Sequence, residues 1–250
     1  IMSLPILLVL TKLSGEGFKL KKKQDVTVLL CAGLLGSTLT TVLLYTSYSY
    51  VPIGIATTLH FIYPILVTLA SAAIFHQKFG KPTIISLALG FIGVSCFIGT
   101  GSNVRLVGVF LALLSGACYA FYTLYMSVCG LTAYGPFQYT LYVNLVVTIG
   151  TGVFGAATNQ LLLNLTPAAW GWAIVSAILI GIFANGLYQI GVRYAGPVIT
   201  SILSTFEPIT SVICGCLFLQ EDANAIKLLG CLCILGGTIL TVVDKSHARA

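Results

Sequence analysis

The sequence predicts an all-α integral membrane protein, an inverted repeat of five plus five transmembrane helices, with eight full spans and one partial span in this chain. Three observations predict it. Hydrophobic residues make up 58% of the chain and charged residues 7%, with a mean hydropathy of +1.03, whereas a water-facing surface needs roughly 25–35% charged side chains. Nearly all the charges fall in short gaps between continuous apolar runs of about 20 residues, the length that crosses a hydrocarbon core. Finally, the chain matches itself at a fixed offset. Membrane β-strands would instead alternate over about 10 residues, so each apolar run must satisfy its backbone helically.

Residues 1–10 are apolar, cover about half a span, and run straight into the basic stretch Lys12 to Lys23. They read as the end of a helix, with one whole helix and part of the next expected upstream. A signal peptide would open with positive charge, and none precedes Ile1. Full spans follow at 26–45, 54–75 and 83–99, completing a first repeat over 1–103. The second repeat, 104–250, holds spans at 106–126, 137–156, 170–190, 198–219 and 225–243. Turn residues such as Gly80-Lys81-Pro82 and Tyr134-Gly135-Pro136 punctuate the runs. Trp170 and Trp172 open a span, as in an interfacial belt.

Sliding the chain by 144 positions lays Tyr50 on Tyr194, Leu59 on Leu203, Pro64-Ile65 on Pro208-Ile209 and Gly93 on Gly237. Five spans per copy is an odd number, so the second copy enters the membrane inverted. Inverted repeats of this kind build many secondary transporters, with the substrate site near the midplane. Of the 12 basic residues, only Arg105 and Lys227 fall on one side; the rest share the other, which the positive-inside rule makes cytoplasmic together with the C-terminus. Topology therefore accounts for the net charge of +6, and nucleic acid is not expected as a partner. The 8 cysteines lie within or at the ends of apolar runs and read as small core residues. Their Cys-x-Cys pairs point about 200° apart on a helix, so no metal site is expected.

The paired segments Pro52-Ile53-Gly54-Ile55-Ala56 through Pro64-Ile65-Leu66, and Gly196-Pro197-Val198-Ile199 through Glu207-Pro208-Ile209 with Gln220-Glu221, resemble the EamA branch of the drug/metabolite transporter superfamily. The resemblance covers nearly the whole chain. It departs in the first copy, which carries His76-Gln77 where the second has Gln220-Glu221. It implies ten spans, both termini inside, and export or exchange of amino acids, other metabolites or drugs.

Polar groups inside spans are costly in hydrocarbon and normally face a cavity or another helix. Glu207 is the only acid within a span, and Thr200, Ser204, Glu207 and Ser211 recur on one helical face. Thr57, His60, Pro64, Thr68 and Ser71 make the matching stripe. Pro64 and Pro208 mark helix breaks and leave the carbonyls of His60 and Ser204 without helical partners, as candidate ligand contacts. Tyr63 beside Pro64, Asn185 and Gln189 one turn apart, and Tyr122 in the stripe Tyr119, Tyr122, Tyr125 complete the candidate set for substrate binding or coupling. Each has a plainer reading as a packing group, because hydroxyls bond back to their own helix and small residues let helices close up. Asn164-Leu165-Thr166 fits the short glycosylation pattern, but Pro167 follows it.

The expected function is that of a secondary transporter of small organic metabolites such as amino acids or drugs, working by alternating access about a midplane cavity in the plasma (inner) membrane. Its expected partners are a small-molecule substrate and the lipid bilayer, with protons as a candidate coupling ion through Glu207 and His60. No cofactor is expected, and oligomeric state is not legible. Two alternatives stand beside it: a nucleotide-sugar or sugar-phosphate transporter on the same fold, and a membrane-embedded enzyme or scaffold. Phosphate would call for Lys or Arg inside a span, and away from their ends the spans contain no basic side chain except His60.

Overall fold

The computed structural model describes residues 2–74, 81–97, 104–161, 164–194 and 225–247, together with Thr200, Ser204, Glu207, Thr210, Cys214, Leu217 and Phe218. Among the described residues every regular element is helical. In order these are α1 (Ser3–Leu13), α2 (Lys23–Cys31), a π-helical stretch (Ala32–Thr38), α3 (Leu39–Ser47), α4 (Ile53–His60), α5 (Tyr63–Ile74), α6 (Lys81–Phe97) and α7 (Leu106–Val128). A 3-10 turn (Leu131–Ala133), α8 (Pro136–Ala157), α9 (Pro167–Ile178), a second π-helical stretch (Leu179–Ala184), α10 (Asn185–Tyr194) and α11 (Ala225–His247) follow. Thr200, Ser204, Glu207 and Thr210 are also helical.

Four continuous stretches are long and apolar enough to cross a bilayer: Lys23–Ser47, Leu106–Val128, Pro136–Ala157 and Pro167–Tyr194. Shorter apolar helices run over Ser3–Leu13, Ile53–Val67, Ile84–Gly93 and Leu228–Leu240. The outer faces of the long and short helices carry exposed large apolar side chains, among them Phe91, Phe110, Trp172 and Leu187. So much exposed apolar surface is stable only against lipid. The chain is an integral membrane protein.

Helix ends follow local chemistry. Gly15 and Gly130, both at φ 71°, adopt the left-handed conformation that closes α1 and α7. Thr166, the third residue of the glycosylation-like triplet, caps α9: its hydroxyl accepts from Ala169 N at 3.3 Å, and Pro167 takes the first helical position.

The chain divides into two compact units, each built from both halves of the sequence: Ile1–Thr38 with Tyr125–Gly196, and Leu39–Leu124 with Pro197–Ala250. In the first unit α1 and the stretch 32–38 pack on α8. Leu7, Leu141 and Ile182 form its apolar core. Asn144 donates to Gly181 O at 2.8 Å, tying α8 to the second π-helical stretch. The N-terminus of α8 is capped from a distant loop, where Glu16 Oε2 accepts from Gln138 N at 2.7 Å. Tyr134 OH bonds Asp25, and the Lys21 amide donates back to Tyr134 OH at 2.8 Å. Burial first, then the bond to Asp25, pushes the Tyr134 phenol above its ordinary range.

In the second unit α6 and α11 form the most extensive helix pair. They cross at Gly93 and Gly237; a Cβ on Gly93 would stand 2.8 Å from Gly230 O, and one on Gly237 2.8 Å from Ser86 O. Val51, Ile55, Leu59, Val109 and Ile234 fill the core among α4, α7 and α11.

Candidate functional site

Most of the residues singled out from sequence fall in the second unit, around the break between α4 and α5. Pro64 has no N–H for the carbonyl of His60, so the helix stops at His60 and resumes at Tyr63. The break is satisfied from neighbouring helices. Thr238 of α11 donates to Phe61 O at 3.3 Å. The His60 carbonyl does not face open space as a ligand contact would: it lies against Gly116 of α7, where a Cβ would approach it to 2.6 Å.

The His60 side chain is buried and meets Ser115 Oγ through Nδ1 at 2.9 Å. Ser115 has one hydroxyl hydrogen, and it goes to Ala112 O at 2.6 Å. Toward His60 the serine therefore accepts, so Nδ1 carries the proton and Nε2 the lone pair of the neutral ring. Thr40 fixes the same turn of α7, donating to Ser115 O at 3.3 Å. Aromatic rings enclose the imidazole, with centroids at 6.0 Å for Phe61, 5.8 Å for Tyr63 and 5.5 Å for Tyr119. Tyr63 and Tyr119 meet edge-on at 4.7 Å, and Tyr122 continues the stripe 5.7 Å from Tyr119. Sequence reasoning placed Tyr63 and Tyr122 in the set, and the structure puts both in one aromatic wall with His60.

A second polar cluster forms around Thr57. Its hydroxyl donates to Ile53 O at 2.7 Å and lies within side-chain hydrogen-bonding reach of Tyr48. Tyr45 packs edge-on against Tyr48 at 5.5 Å. Glu207 has an accessible side chain and lies within electrostatic reach of both tyrosines. Ser204, one turn earlier, donates to Thr200 O at 2.9 Å. His60 is held by serine and aromatic rings, whereas Glu207 lies within electrostatic reach of Tyr45 and Tyr48.

Sequence reasoning missed Tyr45, Tyr48, Thr40 and Ser115. The i, i+3 spacing of Tyr45 and Tyr48 was a usable signal, whereas Ser115 looks like any small packing residue. Asn185 and Gln189 belong to the first unit, Asn185 exposed and Gln189 buried on α10. Pro208, Thr68, Ser71, His76 and Ser211 lie outside the described side chains. No group of three or more metal-binding side chains gathers among the described residues. The arrangement gathers hydroxyls, aromatic faces and one carboxylate in the second unit.

A model of the EamA-like transporter family matches residues 1–99 and 106–243. The uncharacterized transporter YetK of Bacillus subtilis (strain 168) is 23% identical over 98% of this chain and 76% of its own length. The threonine/homoserine exporter RhtA of Escherichia coli (strain K12) is 28% identical over 83% of this chain and 69% of its own. A crystal structure with 16% sequence identity superposes with a TM-score of 0.64, covering 100% of this chain and 86% of that one, a likeness of fold.

Proposed function

Since this chain belongs to the EamA-like transporter family, we propose that it is a secondary transporter that exports or exchanges small organic metabolites, amino acids among them, across the plasma membrane. The observation that carries this reading is Glu207, the one acid within a span, in electrostatic reach of Tyr45 and Tyr48. A carboxylate among phenols suits a solute ammonium, through charge and cation–π attraction, and the hydroxyls suit its polar remainder. An amino acid has both parts. The similarity to a threonine/homoserine exporter supports the same class.

The proposed cycle is alternating access between the two repeats, 1–103 and 104–250, with the solute held near the helix breaks at Pro64 and Pro208. The excess of Lys and Arg in alternate loops supports a cytoplasmic placement of those loops and of the C-terminus. With no Lys or Arg away from the ends of a span, the cavity favours zwitterionic, cationic or neutral solutes over multiply anionic ones. Purified full-length protein in proteoliposomes tests this with labelled threonine, a cationic drug and glucose 6-phosphate in parallel. Saturable flux of threonine or the drug, with glucose 6-phosphate excluded, is expected. Robust glucose 6-phosphate flux, or chemical conversion of a solute in detergent, would overturn the assignment.

A further inference from the structure

Within the first unit, the loop after α1 lies against the α7–α8 connection and borders an open cleft of about 370 Å³. Lys19, Lys21 and Arg193 line it, with Glu16 as the one carboxylate. The polar groups around it are engaged in an unusual pattern. Lys21 Nζ donates to Ala133 O at 3.4 Å and lies 5.5 Å from the Tyr134 ring centroid. Arg193 Nη1 donates to Tyr134 O at 3.2 Å. These carbonyls orient the cations without neutralising them. The nearby carboxylates bond neutral donors: Glu16 accepts from the Gln138 amide, and Asp25 from Tyr134 OH and the Lys22 amide. Like charges held together repel unless a counter-charge joins them.

We propose that this cleft binds a phosphate-bearing anion. A phosphate spreads its charge over several oxygens, so two ammonium groups and a guanidinium fork can reach it from different sides. The cleft stands at the ends of α1, α7 and α10 and the starts of α2 and α8. All are helix termini on the face where basic residues collect, the level at which acidic lipid headgroups lie. The same chemistry fits a phospholipid headgroup or a free phosphate. None of the residues proposed to hold the solute lines this cleft.

The test uses the purified full chain in neutral detergent, reading the thermal unfolding midpoint at constant ionic strength. Three probes are titrated: short-chain phosphatidylglycerol, short-chain phosphatidylcholine and inorganic phosphate. A saturable upward shift with phosphatidylglycerol and none with phosphatidylcholine identifies an acidic lipid site; a matching shift with inorganic phosphate identifies a free phosphate site. In either case Lys19→Gln should weaken the response about fivefold, the usual effect of one basic residue near an anionic surface. Lys19→Gln is the informative variant, because the Lys19 side chain bonds nothing else in the loop, whereas Arg193→Gln also removes a bond to Tyr134. Lys12→Gln, equally basic but outside the cleft, should leave the response unchanged. Equal responses in the Lys19→Gln and Lys12→Gln proteins, or no shift with either anionic probe, would overturn the proposal.

Discussion

Ser115 decides which nitrogen of His60 holds the proton, because its single hydroxyl hydrogen already goes to Ala112 O. Ser115→Ala would leave a buried N–H without an acceptor, at a cost of about 1–3 kcal/mol. Thermal unfolding in detergent should show that loss, and an unchanged midpoint would mean the imidazole has another acceptor. Glu207 is different in kind, since it is the one acid within a span and lies within electrostatic reach of Tyr45 and Tyr48. Glu207→Gln keeps size and hydrogen bonding but cannot titrate. If Glu207 couples protons to transport, this variant should lose gradient-driven flux while keeping solute binding and protein level. Unchanged flux and pH dependence would reduce Glu207 to a packing group. The cluster around Glu207 was only half legible in sequence: an acid in a span is conspicuous, whereas its tyrosine neighbours sit on another helix and no periodicity connects them.

At the scale of helices, close approach at particular glycines sets the packing. Gly236 and Gly237 are neighbours on α11 with opposite surroundings. A methyl on Gly237 would meet Ser86 O at 2.8 Å and Leu89 Cβ at 3.2 Å, whereas nothing lies within 4 Å of one on Gly236. Gly237→Ala should therefore destabilise by about 1–3 kcal/mol, and Gly236→Ala should be neutral or stabilise by up to about 1 kcal/mol through helix propensity. Unfolding of both variants side by side checks the crossing, and equal effects would refute it. Gly93 and Gly237, paired by the 144-residue offset, both sit at this α6–α11 contact. The π-helical stretches at Ala32–Thr38 and Leu179–Ala184 also overlap under that offset. Apolar length made the stretches Lys23–Ser47, Leu106–Val128, Pro136–Ala157 and Pro167–Tyr194 legible in advance, and Pro64 foretold the break after α4. The π-helical stretches were not legible, because one extra residue per turn leaves hydropathy unchanged. Nor was the contact of Glu16 with α8, since a carboxylate capping a helix more than a hundred residues away leaves no local pattern.

For the whole molecule, orientation and mechanism are the quantities to test. With native cysteines replaced, a cysteine at Lys21 or Lys81 should be shielded from impermeant thiol reagents in intact cells, and one at Asn159 should react. The reverse pattern would invert the topology drawn from the basic loops. The central claim is that this membrane protein is a carrier, and a carrier differs from a channel or an enzyme in exchanging one solute molecule for another. Counterflow in proteoliposomes measures that property directly. Vesicles holding the full-length protein are loaded with unlabelled threonine, diluted into a trace of labelled threonine, and followed over time. A carrier of amino acids should accumulate label transiently above its equilibrium level, with the overshoot vanishing as the internal pool drains. Monotonic equilibration without overshoot, across amino acids and cationic drugs alike, would contradict the account.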